Sequence, residues 1–224
     1  MLDGRQFNVS VTNMKLRGMK SSRRGYAQTT RAQSTEDTAR RIVDAFVARL
    51  MNQWFDEITL DSIAEDAGVT VQTVVRRFGS KEELLGAAVK ILSSQINAQR
   101  AMPSGDLGVM VNKLFEDYER TGDAVIRLLA LEARHPAIKP VTDLGRGEHR
   151  RWLANVMVDS LERLDASARQ RALDVFVILT DVYAWKLLRR DMARSISASV
   201  ATMKFMIEAS MADLAKLDRK DGRQ

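Results

Sequence analysis

The sequence predicts an all-α fold: an N-terminal three-helix head containing two short helices joined by a tight turn, then a larger C-terminal helical domain, about nine helices altogether. Two features of the chain carry that expectation. Its 224 residues include only three prolines and twelve glycines, too few to punctuate a sheet-rich fold. Long windows also place apolar residues three or four apart, the period of a helix with one buried face. The length suffices for a compact head and a second domain of about 120 residues with its own core.

The first helix opens at Ser34 with Asp37 and runs to about Trp54, with Ile42, Val43, Ala45, Phe46 and Leu50 on its apolar side. Thr59 can cap the second by accepting from an unpaired N–H of the first turn. Leu60, Ile63, Ala64 and Ala67 then share one face, while Asp61, Glu65 and Asp66 take the wettable side. Gly68 ends this helix, since only glycine adopts a left-handed backbone at little steric cost. Thr70 is a fresh N-cap, so the chain turns sharply and restarts. The third helix, about seven residues long, carries Val71, Gln72, Thr73, Arg76 and Arg77, with Val74 and Phe78, and Val75 beside them, supplying the apolar side. A helix that short needs a scaffold. Ser80 and Glu83 form the next capping box, ahead of Leu84, Leu85, Ala88, Ile91 and Leu92.

The fourth helix runs from Lys81 to about Arg100, where Pro103, Ser104 and Gly105 break the chain and set the border between head and C-terminal domain. A fifth covers about residues 106–120, with Val109, Met110, Leu114, Phe115 and Tyr118 inward, and Thr121 caps a sixth that ends near Arg134 at His135-Pro136. A seventh is expected over 141–164, an eighth over 166–191 and a ninth over 196–217. The expected division is therefore an arm (1–34), a head (35–100) and a C-terminal helical domain (101–224).

Two helices meeting at a glycine turn, the second short and polar outward, form a helix-turn-helix, which implies a protein that reads double-stranded DNA. The stretch IAEDAGVTVQTVVRRFGSKEELL further resembles the DNA-binding signature of the TetR family of one-component transcriptional repressors, in Ile63-Ala64, Ala67-Gly68-Val69, Thr73, Phe78, Ser80-Lys81-Glu82 and Leu84-Leu85. The resemblance covers roughly residues 37–92. It implies an all-helical homodimer with a DNA-binding head and a C-terminal domain that binds a small molecule and forms the dimer interface. Three positions depart from the family pattern: Gln72 where a small residue is usual, Val74 for Leu and Val75 for Tyr. The last removes a tyrosine that commonly touches a phosphate, and Arg76 and Arg77 offer a substitute by charge. A weaker resemblance to the regulatory half of one TetR branch runs through Ala133–Ala137, Gly145-Arg146, His149-Arg150, Trp152 and Thr180–Tyr183 to Arg190.

Reach assigns roles within the head. Val71, Gln72 and Thr73 start the recognition helix: glutamine suits adenine through paired bonds, and the Val and Thr methyls suit thymine. Arg76 or Arg77 reads guanine or holds phosphate, and Thr59, Thr70, Lys81 and the helix N-termini are expected to contact phosphates. The plainer alternatives are that Thr59 and Thr70 only cap, that Phe78 is core, and that Lys81 is a solvated side chain.

Charge is distributed unevenly. Residues 1–34 hold Arg5, Lys15, Arg17, Lys20, Arg23, Arg24 and Arg31 against Asp3 alone, so the formal net charge of +6 lies in this arm and the remainder balances. Few apolar residues and no helical period predict an arm disordered in isolation. Near DNA it gains by releasing counterions. The alternatives are a solvated tail or translation starting at Met14 or Met19. No secretory apolar centre is present. Zero cysteines remove disulfide and thiol chemistry, so a cytoplasmic location follows by elimination, and no apolar run approaches the 18 or so residues that cross a bilayer.

In the last two long helices, Leu173, Phe176, Val177, Thr180, Ala184, Leu187 and Leu188 fill one face, while Val175, Ile178, Leu179, Val182 and Trp185 fill another. Ile196, Val200, Met203, Phe205, Met206, Ile207 and Met211 widen the apolar surface, which predicts a four-helix bundle across a two-fold axis. A dimer would also set two recognition helices about 34 Å apart on an inverted-repeat operator. An unknown small-molecule effector is expected among Phe115, Tyr118, Trp152, Tyr183 and Trp185, with His149, Arg127 and Asp181 as polar anchors. Such aromatics also serve as plain core. The rival class is a metal protein or enzyme using Glu132-x-x-His135, but di-iron bundles need two such motifs plus further carboxylates. With no catalytic elbow or phosphate loop either, a regulator without cofactor or catalytic residues is the expected class.

Overall fold

The computed structural model describes the backbone of residues 22–221 and the side chains of residues 33–213. Among the described residues the fold is helical without strands. In chain order the helices are α1 (Ser22–Leu50), α2 (Leu60–Ala67), α3 (Val71–Phe78), α4 (Lys81–Arg100), α5 (Leu107–Leu131), α6 (Lys139–Val156), α7 (Val158–Leu161), α8 (Ala166–Leu179), α9 (Val182–Lys186), which passes into a π-turn at Leu187–Asp191, and α10 (Ile196–Asp221). The chain divides into two units, Met1–Thr38 and Ala39–Gln224. Of the first, residues 22–38 are described and all are helical, with the Thr38 hydroxyl donating to the Ser34 carbonyl.

The second unit holds two apolar clusters. One gathers Phe46, Phe55, Ile58, Ile63, Val74 and Leu84 with neighbours from α1 to α4, and it also takes in Leu128, Leu131 and Ile138. The other is built on Met110, Leu114, Phe115, Trp152, Phe176 and Trp185, joined by Met203 and Ile207 of α10. The Pro103–Gly105 break falls between α4 and α5. Even so, residues beyond it complete the first cluster, so the head's core is closed partly by α5.

Several expected boundaries shift, each for a local reason. Helix α1 starts at Ser22, so residues 22–34 of the expected disordered arm are helical, while residues 1–21 lie outside the described residues. No proline interrupts Ser22–Leu50, and its Arg, Ala and Gln are good helix formers. The expected break at Thr121 does not occur: its hydroxyl donates to the Asp117 carbonyl one turn back at 2.9 Å, and α5 continues to Leu131. The expected 141–164 helix divides at Met157 into α6 and α7. The expected 166–191 helix breaks at Thr180-Asp181, where Asp181 becomes extended and its carboxylate accepts from the Tyr183 N–H to start α9. Aspartate favours such a cap over the helix interior.

Candidate functional site

The turn between α2 and α3 is assembled by local hydrogen bonds. The Thr59 hydroxyl accepts from the Ser62 N–H at 3.2 Å and the Ser62 hydroxyl accepts from the Thr59 N–H at 3.3 Å, a reciprocal cap closed by serine rather than an acidic residue. Gly68 takes the left-handed conformation, φ 63° and ψ 43°, which any side chain would strain. Thr70 accepts from the Thr73 N–H at 3.2 Å, and the two hydroxyls lie 2.9 Å apart. Ser80 and Glu83 close the expected capping box on α4.

On α3, Val74 is buried, Val71 and Phe78 are half-buried, and Thr70, Gln72 and Arg76 are exposed, with Thr73 and Arg77 between. Val75, read beside the apolar side, is 43 % exposed and shares the outer surface. The reason is rotation: Val71, Val74 and Phe78 repeat at helical spacing toward the core, and Val75 lies one step off that stripe. Lys81 is not a free surface cation. Its ammonium donates to the Phe55 and Ile58 carbonyls, both at 2.8 Å, and sits 4.4 Å from the centre of the Phe55 ring. Burial lowers its pKa, and the contacts tie the segment before α2 to the start of α4.

Sequence spacing gave no sign of the residues that hold this head. Arg41 donates to the Ala67 carbonyl at the end of α2 (3.1 Å), and Arg49 grips Asp66 with two bonds of 2.6 and 2.9 Å. Arg127, read as an effector anchor, instead donates to the carbonyls of Leu50, Met51 and Gln53 at 3.2, 2.7 and 3.2 Å. It satisfies acceptors that a helix end leaves open. All these pairs are distant in sequence, so no local pattern signals them.

A cavity of about 410 Å³ lies beside this junction, walled by Leu50 at the end of α1, by Met51 just after it and by residues of α4, α5, α6, α8 and α9. Of the sequence-named candidates, Tyr118, His149, Asp181 and Tyr183 line it. Trp152 stands behind Arg100, to whose carbonyl its indole N–H donates at 3.1 Å. Phe115 and Trp185 are not in the wall; both are packed in the core, Trp185 against Gly122 and Tyr118 of α5. The polar end of the cavity is a buried network that sequence reading missed at its centre. Arg100 pairs with Asp117, Tyr118 donates to the Thr180 carbonyl at 3.1 Å, and His149 Nε2 lies 2.9 Å from the Thr180 hydroxyl. That hydroxyl donates to the Phe176 carbonyl, so it accepts from His149 Nε2–H. Nδ1 is then left to accept from Arg100, 3.3 Å away. Burial, with the Arg100 charge adding to it, pushes the His149 pKa down to about 3, so the ring is neutral.

Glu132 and His135 are not brought together as ligands. Glu132 pairs with Arg146 at 2.5 Å, which lowers its pKa, and His135 meets the Phe55 ring edge-on. Among the described residues no three metal-ligating side chains cluster, and no helix is long and apolar enough to cross a membrane.

Residues 48–88 match the bacterial regulatory proteins of the tetR family. That span runs from the end of α1 through α2 and α3 into α4. Three solved structures share the fold. A transcriptional regulator from Rhodococcus sp. Rha1 superimposes with a TM-score of 0.62 at 16% identity, covering 80% of this chain and 97% of that one. A candidate transcriptional regulator from Pseudomonas aeruginosa PAO1 gives 0.62 at 16%, with 80% and 93% covered. A candidate TetR-family regulator from Mesorhizobium loti MAFF303099 gives 0.54 at 17%, with 82% and 97% covered. No curated protein matches the chain significantly. The turn at Gly68 lies inside the stretch that is similar to the bacterial regulatory proteins of the tetR family, and the likeness to the solved structures is one of all-helical fold.

Proposed function

We propose that the protein is a cytoplasmic homodimeric repressor that binds an inverted-repeat operator and leaves it when a small molecule occupies the cavity. The observation that carries this reading is the outward N-terminus of α3, where Gln72 is exposed on a capped helix whose Val74 is buried and whose Val71 and Phe78 pack half-buried against the head's core. Gln72 reads adenine, the Val71 and Thr73 methyls meet thymine, Arg76 and Arg77 serve guanine or phosphate, and Thr59 and Thr70 take phosphates. Lys81 adds positive charge from behind its two carbonyl contacts. The head of residues 35–100 and the effector domain of 101–224 act as linked parts, and the basic arm strengthens binding without adding sequence choice.

Dimerisation is supported by the apolar side chains left in water on α8 to α10: Ile178 and Phe205 are 67% and 70% exposed, and Tyr183, Leu187 and Ile196 join them. Such a surface exceeds the scattered apolar exposure of a monomer, and two copies of α8 and α10 would bury it in a bundle. Effector action follows from the walls of the cavity. It is lined by the end of α1 and by α4 as well as by α5 and α6, so a ligand that prefers one spacing of those helices biases the operator-binding conformation.

The test is fluorescence anisotropy at fixed salt with the inverted repeat found upstream of the gene or its neighbours. Binding at least about a thousandfold tighter than to unrelated duplex is expected of a specific regulator. Equal affinity for both duplexes refutes the reading.

A further inference from the structure

The wall of the cavity follows three helices lengthwise. On α4 it is formed by Val89, Leu92, Ser93, Ile96, Asn97 and Arg100, one face of the helix over a length of about 16 Å at the helical rise. On α5 it runs from Asp117 to Leu129, and on α6 from Val141 to Arg150. The cavity is therefore long, and its axis lies along the helices.

Its two ends differ. At one, Leu50, Met51, Val89, Leu128, Leu129 and Val141 gather beside the head's core, each of them buried or half-buried. At the other, Arg100 pairs with Asp117 and Asn97 donates to Glu148, so α4, α5 and α6 meet there through polar groups. The exposed wall residues are Asn97 and Tyr183 at this polar end and Gly145 and Arg146 midway along the α6 wall. The cavity thus opens to water from its middle to its polar end and is blind at the head.

The lining restricts what can fill it. The aromatic side chains of the wall, Tyr118, His149 and Tyr183, stand at the polar end, so the blind end offers aliphatic contacts and no ring for another ring to meet. Apolar area buried there is favourable, and a polar group would lose its water without replacement. The charges of the wall cancel, with Arg100, Arg146 and Arg150 against Asp117, Glu148 and Asp181. All are engaged: Arg100 with Asp117, Arg146 with Glu132, Arg150 with Asp174, Glu148 with Arg151, and the Asp181 carboxylate with the Tyr183 N–H. A charged ligand finds no free countercharge.

We infer that the cavity takes an aliphatic chain of about a dozen carbons with an uncharged polar end, since zig-zag bonds of about 1.5 Å advance about 1.3 Å per carbon and so fill about 16 Å. The tail lies at the blind end beside Leu50 and Val89, and the polar group stays near Asn97 and Tyr183 within reach of water. The inference rests on the reading of the cavity as the effector site and names the class of ligand it takes. Such a tail touches the end of α1 and also α4, the helix that begins directly after α3 and Gly79-Ser80.

The test is equilibrium dialysis of the full chain, without DNA, against straight-chain alcohols from hexan-1-ol to tetradecan-1-ol. Affinity is expected to rise about fourfold per methylene up to about dodecan-1-ol and to level off beyond it. Cyclododecanol, with its carbons closed in a ring, and dodecanoate, with a charged end, should each bind at least about tenfold more weakly than dodecan-1-ol. Ser93 is half-buried midway along the α4 wall and belongs to neither apolar cluster. Ser93→Phe blocks the middle of the cavity, and levelling should move to octan-1-ol or a shorter chain. If circular dichroism shows that this variant does not fold, the series on the unaltered protein decides. Levelling before decan-1-ol, no levelling by tetradecan-1-ol or no binding by any alcohol overturns the inference. So does cyclododecanol or dodecanoate binding as tightly as dodecan-1-ol, or a folded Ser93→Phe with an unchanged series. Operator anisotropy on the same preparation separates the two readings. Operator binding without the chain-length series refutes the ligand class alone, and the series in a protein whose operator complex dodecan-1-ol does not release refutes the effector reading alone.

Discussion

Gly122→Ala tests whether α5 and α9 are packed as tightly as the geometry implies. Gly122 is buried in α5, and a methyl there would stand 2.5, 2.7 and 2.9 Å from three ring carbons of Trp185. Ordinary contact begins near 3.4 Å, so the indole would have to retreat by about 1 Å. It has nowhere to go. Trp185 is wholly buried, its N–H donates to Glu119 at 2.8 Å, and the Arg190 guanidinium lies 4.5 Å from its ring centre. Two effects oppose each other: replacing a mid-helix glycine by alanine gains about 1 kcal/mol of helix propensity, while overpacking a rigid core costs about 1–3 kcal/mol. The upper part of that range applies, so the net loss is about 1–2 kcal/mol, or roughly 2–8 °C in Tm for a chain of this size. Gly147→Ala is the control, because nothing lies within 4 Å of a Cβ there and the residue sits inside α6. It should raise Tm. Calorimetry at one fixed protein concentration compares the variants, so that any association between copies weighs equally on each midpoint. A Gly122→Ala protein as stable as the unaltered chain would refute the tight contact.

His149 is neutral in the fold, with a pKa of about 3 against an ordinary 6.5, so the unfolded chain takes up a proton that the folded chain does not. Its contribution is fully present above about pH 6.5 and is lost as pH falls toward 3, which between pH 7 and 5 amounts to about 2 kcal/mol; urea titrations should show this slope, and His149→Gln should flatten it. Gln72→Ala and Thr73→Ala should each weaken operator binding by about 1–3 kcal/mol, and unchanged anisotropy at fixed salt for Gln72→Ala removes it from the base-reading set. Arg127→Met leaves three carbonyls at the end of α1 without their donor. Operator affinity should then respond less to a cavity ligand, and an unchanged ligand response in the anisotropy assay rules out this contact as a link.

The helix-turn-helix was legible because its signals are local: a cap at Thr59, a bend at Gly68, a new cap at Thr70 and a box at Ser80-Glu83 all act within four residues. The cavity was legible only in part. Tyr118, His149 and Tyr183 were named from residue type, but aromatic spacing cannot tell a wall from a core, and Phe115 and Trp185 turned out to be core. Arg100, at the centre of the polar network, was missed because a last-turn arginine reads as solvated.

The sequence by itself determined the all-helical fold, the turn and the polar face that α3 turns outward, because capping, left-handed glycine and helical period are properties of neighbouring residues. Only the tertiary structure decided that Arg127 clasps the end of α1, that Lys81 is spent on two backbone carbonyls, and that α8 ends at Thr180 beneath His149 and Tyr118. Those outcomes depend on which buried polar groups meet across dozens of residues. That pairing is settled by where helices pack, not by the order in which the chain spells them.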